Sequence, residues 1–161
     1  MQRLAQVPES RASFIEIKSL AALSVPLSAT GTLLYRRPAY LEKTTLQPRP
    51  ENLVVDGDRL TLTEAGASPS LIDLDSEPMI RALVDAIRGT LAGDLALLRR
   101  SYQVTMNGDL TAWRLTLTPT DPGAARMVTR IVIDGTGTAL RFIRTIQANG
   151  DESRMTISPL P

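Results

Sequence analysis

The feature that most restricts this chain is the stretch from Gly31 to Thr63, where short apolar runs alternate with turn residues at intervals too short for helices. Pro38, Pro48 and Pro50 cannot donate to a β-ladder and belong at strand ends, and Asp56-Gly57-Asp58 between Leu53–Val55 and Leu60–Thr63 is a strong hairpin signal. A β-meander is therefore expected, and it sets the register for the strands after it.

Upstream, Arg11 to Leu20 places Ile15 and Ile17 on one face and Glu16 and Lys18 on the other, as a first strand would, while Ala21 to Thr30 reads as a loop or helical turn. Downstream, Ser70 to Leu74 is a further strand, and then the period changes. Met79, Ile80, Leu83, Val84, Ile87 and Leu91 recur at helical spacing behind Ser76-Glu77-Pro78, with Arg81, Asp85 and Arg88 turned the other way. Gly89 and Gly93 are expected to break this helix, and Asp94 to cap a second, short one through Leu98 to Arg100. From Tyr102 the pattern returns to β, with turns at Asn107-Gly108-Asp109, Asp121–Gly123, Asp134–Gly137 and Asn149–Asp151. The reading is mainly β: one strongly curved antiparallel sheet of about eleven strands, an incomplete barrel, with a helical insertion at about 77–100.

The 161 residues suit a single domain with a sizeable core, spanning 1–161. A net charge of +1 leaves no footprint for nucleic acid, and the absence of histidine and cysteine removes His-based triads, thiol nucleophiles and the commonest metal ligands. No metal or cofactor is expected. Phosphate-binding loops and nucleophile elbows are missing as well, and the aspartates at Asp56, Asp58, Asp109, Asp134 and Asp151 read as turn chemistry. Among carboxylate pairs, Asp73 with Asp75 would be the candidate for a lipid hydrolase, which ranks last. No catalytic residue is assigned, and a protein that is not an enzyme is expected.

A curved sheet has a concave face. If the helix lies across it, Met79, Ile80, Leu83, Val84, Ile87 and Leu91 either plug the core or form a lid over a cavity, and periodicity alone leaves both open. Alternation places one guanidinium of Arg36 and Arg37 on the concave face, where carbonyls at a lid helix's end would suit it.

The ordered set Gly31-x-Leu33-x-x-x-Arg37-Pro38, Gln47-Pro48, Leu53-Val-x-Asp56-Gly57 and Leu60, followed by Asn107-Gly108-Asp109, Leu117-Thr118-Pro119, Asp134-Gly135 and Asn149-Gly-Asp151, resembles the LolA family of periplasmic outer-membrane lipoprotein carriers. The resemblance runs from Phe14 to Ile157. It implies an incomplete eleven-stranded barrel under lid helices, without cofactor, that binds acyl chains of lipoproteins or lipids, exchanges them with membrane donor and acceptor proteins, and acts as a monomer in the periplasm after loss of a signal peptide. It further implies that Arg37 is the lid latch. On this reading Leu33, Tyr35, Leu41, Trp113, Leu115 and Phe142 line the cavity. Lys43 stands where the family has a tryptophan, which widens the expected ligands to free or glycosylated lipids. A sensing or interaction domain on the same fold is the alternative.

Overall fold

The computed structural model describes residues 1–161. Eleven strands form one antiparallel sheet: β1 (Glu9–Ser19), β2 (Leu27–Arg36), β3 (Tyr40–Gln47), β4 (Glu51–Asp56), β5 (Arg59–Glu64), β6 (Ser70–Asp73), β7 (Tyr102–Gly108), β8 (Trp113–Pro119), β9 (Val128–Thr136), β10 (Ala139–Gln147) and β11 (Glu152–Pro159). Their spatial order is β6-β5-β4-β3-β2-β1-β11-β10-β9-β8-β7. Each strand pairs with its neighbour in sequence except at the centre, where β1 meets β11, and the sheet stays open between β6 and β7. The chain that joins those two edges is helical, α1 (Pro78–Ala92) followed by α2 (Leu95–Ser101), so the insertion lies across the open side; α3 (Pro122–Ala125) is a single turn between β8 and β9.

Several local expectations hold. Asp94 caps α2 by accepting from the Leu97 amide at 2.9 Å. The Asp109 carboxylate accepts from the Thr111 amide at 2.9 Å and the Ala112 amide at 3.1 Å, tying its hairpin turn. Others are corrected. β2 begins at Leu27 rather than Gly31, because its early residues pair with the far half of β1, Lys18 opposite Leu27. Gly89 does not break α1: it lies in the helix, bare against Leu98, where a methyl would collide with the leucine side chain. Gly93 ends the helix in the left-handed conformation, with φ 64°, which glycine adopts without cost.

The strand β1 inverts the usual pattern. Phe14 faces the concave side and is 2% exposed, which carries Glu16 inward to 7% exposure and leaves Ile15 and Ile17 outside at 53% and 43%. Side chains alternate, so one buried aromatic fixes the side for all of them. The Phe14 ring fits because its partner across β2 is Gly31; a methyl there would collide with both the ring and the Thr44 carbonyl.

The apolar interior divides in two. A larger cluster over β7–β11 and β1 packs Leu4, Ala82, Ala86, Leu98, Tyr102, Trp113, Leu115 and Leu117 against one another, and a smaller one over β2–β5 gathers Tyr35, Leu41, Val55, Leu60, Leu74 and Val84. α1 contributes to both.

Candidate functional site

Between the sheet and α1 lies a cavity of about 610 Å³, lined by 31 residues of which 21 are hydrophobic. That volume falls in the range of small-molecule sites, roughly 300–1,000 Å³. Leu33, Tyr35 and Leu41 form part of its sheet wall, with Leu53, Leu60, Ile143 and Met155, and Ile80, Leu83, Val84, Ile87 and Leu91 form its roof. Both alternatives left open by the periodicity are thus realised. Over β7–β9 the helices plug the sheet; over its centre they roof an open volume.

Four expected site residues lie elsewhere. Trp113 and Leu115 are buried in the larger core cluster rather than on the cavity wall, because β8 sits on the flank that the helices and the N-terminal turn with Leu4 fill. The indole lies on Gly135, and its N–H donates to the Gly137 carbonyl at 2.9 Å. Met79 packs against the same cluster. Phe142 is off the wall because a bulge between Leu140 and Phe142 resets the alternation of β10, so that Leu140 and Ile143 face the cavity instead.

Arg37 is also displaced from its expected place. Alternation through Leu33 and Tyr35 would turn it inward, but β2 ends at Arg36. Arg37 sits in the following turn, exposed, its side chain without a hydrogen bond, while its amide donates to the Pro8 carbonyl at 2.9 Å. The guanidinium that holds the helix to the sheet comes from the helix itself. Arg88, side chain 7% exposed, donates to the Ala39 carbonyl in the β2–β3 turn at 3.1 Å, to the Gly57 carbonyl in the β4–β5 turn, and to Asp85 at 2.8 Å. Asp85 and Arg88 lie off the apolar stripe of α1, yet neither is solvated. They are buried because each satisfies the other and two hairpin turns offer carbonyls that no strand uses. Arg81 adds bonds to Asp58 at 2.7 Å and Asp75 at 2.8 Å and reaches Asp85 at 3.6 Å. The Arg81 bond is the main cause that draws the exposed Asp58 carboxyl below its ordinary range. No signal in the sequence distinguishes Arg88 from a solvated arginine; only the register of α1 over the two turns does.

Polar groups on the wall are few. The Tyr35 hydroxyl is buried without a partner. Nearer the Ser19 end of β1 stands Glu16, which accepts from Lys43 Nζ at 3.1 Å and from Ser153 Oγ at 2.8 Å, with Lys18 Nζ at 3.9 Å. Burial pushes the Glu16 carboxyl up, but Lys43, Ser153 and Lys18 together hold it below the ordinary carboxylate range. The cavity meets no group of three or more acidic or other metal-ligating side chains, since none occurs in the structure.

The family model for outer membrane lipoprotein carrier protein LolA-like chains matches residues 1–159. This chain belongs to that family. Among solved structures, the LolA-like fold is seen in a LolA superfamily protein from Nitrosomonas europaea, 11% identical, with 98% of this chain and 89% of that chain covered and a TM-score of 0.52. A lipoprotein-sorting protein domain from Vibrio parahaemolyticus, described as putative, is 11% identical over 93% of this chain and 83% of that one, with a TM-score of 0.47. The Pseudomonas aeruginosa MucA/MucB complex is 13% identical over 97% of this chain and 53% of that one, also at 0.47. A comparison with curated proteins returns no match. In this LolA-like chain no helix is long and apolar enough to cross a membrane.

Proposed function

We propose that the protein is a periplasmic carrier that takes the acyl chain of a lipoprotein or lipid into the cavity beneath α1, as a monomer, and passes it from a donor to an acceptor in another membrane. The observation that carries this reading is the 610 Å³ cavity with a predominantly apolar wall, roofed by a helical insertion whose two ends join the open edges of the sheet. A sixteen-carbon acyl chain buried there gains roughly 12 kcal/mol before ordering costs. A carrier must also release. Lifting α1 breaks the Arg88 bonds to the Ala39 and Gly57 carbonyls, and that cost subtracts from the affinity, so the ligand is held loosely enough to be handed on.

The test is native mass spectrometry of the protein purified from a Gram-negative host, followed by solvent extraction and lipid analysis. A lipid bound at near one-to-one stoichiometry supports the carrier. A mass that stays that of the bare chain after incubation with fatty acids, phospholipids and acylated peptides refutes it.

A further inference from the structure

We propose that the cavity selects a single-chain amphiphile with an anionic head, carboxylate or phosphate, and that Lys43 is the residue that holds that head. The inference rests on the cavity being a binding site and specifies what it takes.

Lys43 is an odd residue for an apolar wall. Its side chain is 24% exposed, and its ammonium lies 5.2 Å from the centre of the Phe14 ring and gives one of its three donors to Glu16. No other acceptor in the protein takes up the remaining two. Glu16 sits two strands away on β1, and the pair can meet because the intervening strand presents Gly31 rather than a side chain. Each Glu16 oxygen accepts one bond, from Lys43 and from Ser153, and an ionised carboxylate has no proton to donate to an anionic head, so Glu16 orients the ammonium. With Lys18 also within 3.9 Å, one carboxylate answers two ammonium groups. An ion pair of this kind is replaceable by apolar residues at little or no loss of stability, so core packing does not require it. What it supplies is a fixed, half-buried cation at one end of a channel whose other end carries Ser10 and the exposed Arg11–Glu9 pair. From Ser10 to Glu16 that channel follows β1 for about 20 Å. An acyl chain lying along it from the α1 roof brings its head to Lys43.

The experiment measures dissociation constants of palmitate, 1-palmitoyl lysophosphatidate and hexadecanol, each below its micelle concentration, by displacement of a neutral fluorescent probe. For the wild type the anionic ligands are expected to bind about tenfold to a hundredfold tighter than hexadecanol, the scale of a charge-assisted hydrogen bond in a desolvated site. Lys43→Met should erase that preference and leave hexadecanol unchanged. Because it takes the nearer of two cations from Glu16, the double variant Lys43→Met with Glu16→Leu is measured beside it and should behave alike. Tyr35→Phe removes the buried, unpartnered hydroxyl on the wall and should leave the preference intact. The ratio of palmitate to lysophosphatidate tells which head is preferred. Equal binding of anion and alcohol by the wild type, or a preference that survives both Lys43 variants or disappears in Tyr35→Phe, overturns the proposal. Failure of all three ligands to displace the probe overturns the carrier reading beneath it.

Discussion

Replacing Arg88 by methionine removes the group that ties α1 to the sheet. The substitution keeps the apolar stem but deletes a buried ion pair at 2.8 Å and two hydrogen bonds to turn carbonyls. Removing one partner of a buried pair costs about 3–5 kcal/mol; because Asp85 keeps Arg81 at 3.6 Å, the low end, about 3 kcal/mol, is expected here. The loss falls on α1, whose opening is local, so native-state hydrogen exchange is the informative assay. Amides of α1 should exchange about a hundredfold faster in Arg88→Met, while those at the β1–β11 pairing hold. Where α1 lifting and global unfolding coincide, the melting temperature falls by roughly 6–12 °C instead. Arg37→Met is the control. Its side chain is exposed and unbonded, so it should shift stability by less than about 0.5 kcal/mol. If Arg37→Met loosens α1 and Arg88→Met does not, the assignment of the latch to the helix is wrong.

Gly135→Ala places a methyl where the Trp113 ring lies and should cost about 1–3 kcal/mol, with the emission of this lone tryptophan shifting to the red; an unchanged spectrum and urea midpoint would refute the described stacking. Glu16 is held below its ordinary value, so its contribution is complete above the usual carboxylate range and is lost as pH falls through the lowered one. The urea midpoint of the wild type should therefore exceed that of Glu16→Gln at pH 7, and the gap should close in strong acid; a gap independent of pH would show that Glu16 is not ionised in the fold.

The course of the sheet is legible in the residues. Turn dipeptides and alternating runs announce all eleven strands, and the apolar period of α1 announces its roof, since Ile80, Leu83, Val84, Ile87 and Leu91 do line the cavity. The side that a strand turns inward is less legible. At β1 hydrophobicity favours Ile15 and Ile17, whereas Phe14 seated on Gly31 settles the matter for Glu16. At β10 a single bulged residue exchanges Phe142 for Ile143. Arg37 fails for a related reason, because the alternation that would aim it inward stops one residue earlier. Each depends on a pairing between segments far apart in sequence, which a local pattern does not contain.

The central pairing of β1 with β11 also bears on how the chain reaches this state. Residues 9–73 and 102–159 each form a run of hairpins between neighbours, contacts that close short loops and form quickly. Only the β1–β11 register, Ala12 opposite Pro159 through Ser19 opposite Glu152, joins the two runs across the whole chain. It is a seam between two halves that can be built separately. Substitutions along it, such as Ile157→Val, should then accelerate unfolding and leave the refolding rate nearly untouched, whereas substitutions inside either run should slow refolding.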